Sequence, residues 1–91
     1  MDTQLDFSAA LSLIKGGGKL SRKGWNGKGM YVFMVAGSQF VVNRKPLVDM
    51  FPEGTEITYR PHLDLKAVDG TIGVWTPSTS DLLADDWEVV D

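Results

Sequence analysis

The chain has no cysteine and only one histidine, His62, and from Phe7 to Val48 it has no acidic residue. Lack of cysteine removes disulfides, thiolate nucleophiles and thiolate metal sites together, and fits a reducing compartment. A lone histidine leaves no His/Cys cluster for a transition metal, and Asp85-Asp86-Trp87-Glu88 lacks the glycine and oxygen-ligand spacing of a calcium loop. Those acids read as a solvated terminus. No apolar run approaches the roughly 20 residues that span a bilayer. Met1 to Asp6 offers neither a basic stretch nor a long apolar one, so it does not resemble a signal peptide. A soluble cytoplasmic protein is expected, with no metal, no cofactor and no catalytic residue.

What fills the acid-free block is seven cations, Lys15, Lys19, Arg22, Lys23, Lys28, Arg44 and Lys45, with Gly24-Trp25-Asn26-Gly27-Lys28-Gly29-Met30 in their midst. From Asp49 onward ten acids face only Arg60 and Lys66, so a net charge of -3 hides a dipolar sequence. That asymmetry suggests an anionic partner. A long nucleic acid usually wants a net-basic domain with a continuous basic face, whereas the isoelectric point here is about 4.9. A compact nucleotide in a partly closed pocket is favoured. Gly16-Gly17-Gly18-Lys19 and Gly24-x-x-Gly27-Lys28 lack the glycine spacing of a nucleotide-hydrolysing phosphate loop.

Ninety-one residues make one domain, 1–91, with a thin core that oligomerisation would relieve. Phe7, Ala10, Leu11 and Ile14 share one helical face, Asp6 is the N-cap, and Gly16-Gly17-Gly18 stops the helix. A short strand through Leu20 to Lys23 follows. Met30 to Ala36 is apolar at both parities, which predicts a central strand covered on both faces. Gly37-Ser38 predicts a tight turn into a hairpin strand Gln39 to Val42. Pro46 to Phe51 suits one turn of helix. Ile57 to Arg60 and His62 to Val68 read as strands broken at Pro61, with Leu63 and Leu65 on one face and Asp64 and Lys66 on the other. Asp69-Gly70 predicts a two-residue hairpin into Thr71 to Trp75. Ser80 reads as the N-cap of a brief helix through Leu82 and Leu83, and Trp87 to Val90 as a last strand. The class is α+β: an N-terminal helix packed on a mainly antiparallel β-sheet.

Trp25, Tyr59 and Trp75 all stand beside turn-like or proline-rich positions, near Lys28, Arg60 and Ser78-Thr79-Ser80. Aromatic faces hold a base by stacking, worth about 1–3 kcal/mol per base, and arginine grips phosphate through a planar fork. Two aromatics could sandwich a purine while Arg60 and Lys28 neutralise a diphosphate. The competing reading makes Trp25 a rim-of-core residue whose indole nitrogen finds a partner. An enzyme would need His62 and Asp64, which strand alternation places on one face.

Five ordered stretches carry a family resemblance: Ser21-Arg22-Lys23-Gly24-Trp25-Asn26-Gly27-Lys28-Gly29-Met30, Val42-Asn43-Arg44-Lys45-Pro46-Leu47, Thr58-Tyr59-Arg60-Pro61-His62-Leu63-Asp64, Asp69-Gly70-Thr71-Ile72-Gly73-Val74-Trp75 and Asp81-Leu82-Leu83-Ala84-Asp85-Asp86-Trp87. Together they resemble the second Thoeris anti-defence family of phage proteins, small sponges for cyclic nucleotide signals. The resemblance implies a non-catalytic protein that sequesters a glycocyclic ADP-ribose isomer in the cytoplasm of an infected bacterium, so that the defence effector stays off. It implies a homotetramer with pockets between subunits, with Trp25 and Trp75 stacking on the adenine and Arg60 on a phosphate. Asn26, Lys28, Met30 and Tyr59 are expected to line the same pocket. Cyclic trinucleotides are a further ligand class of the family, for which Asn43, Arg44 and Lys45 are the expected surface. The alternatives are a protein-interaction module that blocks a host factor and a small nucleotide hydrolase.

Overall fold

The computed structural model describes residues 4–25 and 28–91. It opens with helix α1, Phe7–Lys15, whose first turn is capped by Asp6 accepting from the Ala9 N–H at 2.9 Å. Lys15 sits in the last turn, favourably placed against the negative end of the helix dipole. At Gly16 the chain leaves the helix while its N–H still bonds the Ser12 and Leu13 carbonyls. Ala10 and Ile14 are wholly buried from this helix, while Phe7 and Leu11 are half-buried.

The chain then forms β1 (Lys19–Arg22), β2 (Tyr31–Val35), β3 (Ser38–Val41), a 3-10 turn at Leu47–Asp49, β4 (Glu56–Tyr59), β5 (His62–Lys66), β6 (Ile72–Val74), α2 (Thr79–Leu83) and β7 (Trp87–Val90). Five strands make one antiparallel sheet in the order β6-β5-β2-β1-β7, and β3 with β4 make a separate two-stranded ribbon. The fold is therefore α+β, with an N-terminal helix on an antiparallel sheet. Leu20, Val32 and Trp87 face α1 and form the core with Ala10 and Ile14.

Four expectations are corrected. β2 is central, but it makes no hairpin with β3: β1 and β5 occupy both of its edges, so β3 pairs with β4 instead. The second face of β2 carries no element of the described chain, since α1 lies on the face of Val32 and the ribbon strands pack on each other. The β5–β6 connection is three residues, 68–70, because Ala67 pairs with Thr71 and Gly70 takes φ 89°, the left-handed position of a hairpin with a bulge. Finally, Ser78 rather than Ser80 caps α2, through a reciprocal capping box with Asp81.

Pro61 stands where the chain passes from the ribbon into the main sheet, where a ladder donor is not required. The ribbon, residues 38–59, projects as an arm, and the molecule measures 48 × 26 × 25 Å. Its radius of gyration, 16.2 Å, exceeds the roughly 12 Å of a compact chain this long. Two strands alone are marginally stable in water. Wholly buried Val42 and the Phe40–Tyr59 ring pair, 5.1 Å apart, give the arm a small core of its own. Val41, Met50, Phe51 and Tyr59 stay exposed on it.

Candidate functional site

Trp87 is wholly buried at the hub of an aromatic cluster, with Trp25 at 5.3 Å, Phe7 at 5.5 Å and Trp75 at 6.0 Å between ring centroids. Trp25 and Trp75 meet each other at 6.4 Å and 68°. They form a corner, one ring edge against the other's face, rather than two parallel plates. Such edge-to-face pairs are worth about 0.5–1.5 kcal/mol beyond the area they bury.

A network of charge holds the corner in place. Asp81 is 8% exposed, and its Oδ1 accepts from Arg22 Nη1 at 3.0 Å and Trp25 Nε1 at 3.3 Å. Its Oδ2 accepts from the Ser78 N–H at 3.0 Å, and its backbone carbonyl accepts from Trp87 Nε1 at 3.0 Å. Arg22 Nε donates to Asp86 Oδ1 at 2.8 Å, and Asp86 Oδ2 accepts from the Gly24 N–H at 2.9 Å. A Cβ at Gly24 would stand 2.9 Å from that same Oδ2, so the close approach of backbone to carboxylate calls for glycine here. Trp25 is half-buried at the rim of the core with its indole nitrogen satisfied, and it also lines a cavity.

The network also corrects two charge arguments. Asp86 is no solvated terminal acid, since it clamps Arg22 and Gly24. Pairing of β1 with β7 brings the basic and acidic halves together, so Arg22 spends its charge inside the chain. Nothing in the local pattern marked Asp86 as a structural ligand, whereas the Ser78-Thr79-Ser80-Asp81 spacing was a readable capping box.

The Arg22 guanidinium, followed by the Gly24 N–H, holds the Asp86 carboxyl below its ordinary value. Burial pushes Asp81 upward, but the hydrogen bonds from Ser78, Arg22 and Trp25 outweigh it and the net shift is downward. Arg22 is raised in turn, by Asp86 first and then Asp81. Groups depressed on folding contribute stability above their unfolded pKa, about 3.9 for Asp, and lose it as the pH falls through the folded value. The melting temperature is therefore expected to be level from about pH 7 to 5 and to fall below about pH 4. Asp86→Asn should flatten that acid limb; an unchanged limb would mean that other carboxylates set it.

The predicted site residues fall in three places. Trp25, Lys28 and Met30 border one cavity of about 510 Å³, whose lining also includes Arg22, Lys23 and Glu88. Trp75 meets Trp25 at the corner but does not line that cavity. Tyr59 and Arg60 border a second cavity, about 390 Å³, at the root of the arm beside Gly37 and Pro61. Asn43, Arg44 and Lys45 line a third, about 490 Å³, together with Phe40 and Tyr59. Asn26 lies outside the described residues. His62 and Asp64 do pair, Nε2 to Oδ1 at 3.3 Å, but on the sheet face away from α1 and the tryptophans. Among the described residues no cluster of three or more metal-binding side chains occurs, and no helix is long and apolar enough to cross a membrane.

The fold and site thus define a small antiparallel α+β protein whose tryptophan corner is locked by a half-buried Arg–Asp network. The chain belongs to the Thoeris anti-defense 2-like domain family, whose model matches residues 5–90. It is 33% identical over 95 residues to Thoeris anti-defense 2 of Bacillus phage SP01, with 99% of each chain covered. Its role is accordingly anti-defence, directed at the Thoeris system.

Proposed function

We propose that this chain is a phage-encoded sponge, which binds a glycocyclic ADP-ribose isomer without cleaving it and so withholds the signal from the Thoeris effector. The observation that carries the reading is the Trp25–Trp75 corner beside a cation-bordered cavity of about 510 Å³, a size within the usual range for small-ligand sites. The adenine stacks at the corner, and Lys23 and Lys28 draw the diphosphate. Neither lysine belongs to an ion pair among the described residues, so their charge is available to a ligand. Arg60, which in one copy borders a different cavity, is supplied by another subunit of a homo-oligomer, a tetramer in the reading favoured here. Asn26 and Met30 complete the lining.

Sequestration makes no demand for a general base. It requires affinity below the effector's threshold and enough protein to bind the signal stoichiometrically. Rings locked by Asp81 and by Trp87 lose little freedom when a base arrives, which supports affinity by lowering the ordering cost. The cavity under Phe40 and Tyr59, with Arg44 and Lys45 on its wall, is the proposed seat of a second ligand, a cyclic trinucleotide. The cell interior of the infected bacterium is the proposed place of action.

Trp25→Ala, which removes the ring that lines the cavity, is expected to weaken binding by about 1–3 kcal/mol, roughly five- to 150-fold in Kd, and Trp75→Ala to weaken it less, by freeing the ring it meets at the corner. Calorimetric titration with cyclic ADP-ribose isomers measures this, and far-UV circular dichroism checks that each variant remains folded. Wild-type affinity in both folded variants would remove the corner from the site. His62→Ala is expected to leave signal depletion unchanged.

A further inference from the structure

One carboxylate stands in the lining of a cavity whose other charged residues are cations. Glu88 borders the cavity of about 510 Å³ beside Trp25, together with Arg22, Lys23 and Lys28. It is half-buried on β7, and the register sets Ser21 of β1, which lines the same cavity, directly across from it. The cations of β1 are held elsewhere: Arg22 by Asp81 and Asp86, and Lys19 by the Asp91 carbonyl at 3.2 Å. Among the described residues Glu88 enters no ion pair, so its charge is uncompensated on the cavity wall. A carboxylate placed there without a partner is costly to enclose, and a ligand made only of phosphate would be repelled by it.

We infer that Glu88 is a specificity-determining residue that accepts hydrogen bonds from the vicinal hydroxyls of a ribose, an inference that rests on the sequestration reading above. An ionised carboxylate only accepts, and its two oxygens suit two adjacent hydroxyl donors; dinucleotide-binding folds use an acidic side chain on a ribose in the same way. A glycocyclic isomer closes through a ribose-to-ribose glycosidic bond. That bond uses one hydroxyl of the acceptor ribose and leaves the 2″ and 3″ hydroxyls of the donor ribose free. The Ser21 hydroxyl, across from Glu88, adds a group that both donates and accepts. Lys23 and Lys28 attract the diphosphate while Glu88 repels it, so the two signs in one lining set which end of the ligand each part of the cavity takes. A sugar without the hydroxyl leaves the Glu88 charge enclosed and unpaired, which is the condition for steep discrimination.

A cycle that changes the protein and the ligand in turn tests the contact. Wild type and Glu88→Gln are each titrated by calorimetry with glycocyclic ADP-ribose isomers and with the 2″-deoxy form of whichever isomer wild type binds. Glu88→Gln is expected to weaken the isomer by about tenfold or more, the usual weight of a hydrogen bond to a charged group. Wild type is expected to lose about as much on the deoxy form. The two losses should not add: Glu88→Gln is expected to bind the isomer and its deoxy form within about threefold of each other, because the hydroxyl no longer has its acceptor. A variant that merely loosened the fold would weaken both ligands alike and keep the wild-type preference between them. The wild-type comparison stands without any variant, which covers the case of a Glu88→Gln protein that does not fold. Equal affinity of wild type for the isomer and its deoxy form overturns the inference, as does a folded Glu88→Gln protein that retains the wild-type preference; either result leaves sequestration standing. A wild-type protein that binds no isomer removes both readings.

Discussion

Trp87→Ala is expected to cost about 3–5 kcal/mol, the usual range for truncating a buried large aromatic. A domain of this length holds only about 5–14 kcal/mol in total, so a large share of its stability rests on one side chain. The reasons are on three sides of the ring. Trp87 has no exposed surface, it touches Phe7, Trp25 and Trp75 together, and its Nε1 satisfies the Asp81 carbonyl. Removing it leaves a cavity between α1 and the sheet and frees both rings of the corner. Chemical denaturation followed by circular dichroism measures the cost. Trp87→Phe, which keeps an aromatic body and drops the donor, should lose distinctly less. A cost under about 2 kcal/mol for Trp87→Ala would show that the cluster collapses to fill the space.

Asp81→Ala is expected to cost about 2–4 kcal/mol, below the 3–5 kcal/mol of a fully buried pair because the Arg22 and Asp81 side chains keep 19% and 12% of their exposure. One carboxylate serves Arg22, Trp25 and the Ser78 N–H, so its removal strands three donors at once. For a chain this size the fall in melting temperature is roughly 8 °C or more. Asp85→Ala is the matched control: Asp85 is exposed, and a change within about 0.5 kcal/mol is expected. Equal effects at the two positions would deny Asp81 its place in the network.

Local physics made much of the fold readable from the chain. The helical spacing of Phe7, Ala10, Leu11 and Ile14 with Asp6 ahead of it yields α1 and its cap, and the apolar run from Met30 yields the central strand. Leu63 and Leu65 do pack on the core while Asp64 and Lys66 take the other face. Errors arose where non-local pairing decides. A turn at Gly37-Ser38 cannot make a hairpin once both edges of β2 are taken by strands distant in sequence. The double apolarity of β2 predicts two covered faces, yet among the described residues only the face of Val32 is covered by a helix.

The candidate site was legible in residue type and much less so in assembly. Trp25 and Trp75 do come together, but Arg60 and Tyr59 stand at the root of the arm and Asn43 to Lys45 line a cavity further along it. Sequence order cannot reveal that Arg22 closes on Asp81 and Asp86, about sixty residues away. That ion network explains why a basic first half and an acidic second half coexist in one small domain. Among the described cations that line the cavity beside Trp25, Arg22 is taken by ion pairs while Lys23 and Lys28 are not.

The central claim is sequestration without chemistry, and recovery of the bound molecule tests it most directly. Protein in stoichiometric excess is mixed with a cyclic ADP-ribose isomer, the free pool is measured, and the complex is then heat-denatured and the released nucleotide identified by mass spectrometry. The account predicts a depleted free pool and quantitative return of the intact cyclic isomer. Return of linear ADP-ribose, or a free pool that never falls with any isomer, would contradict it.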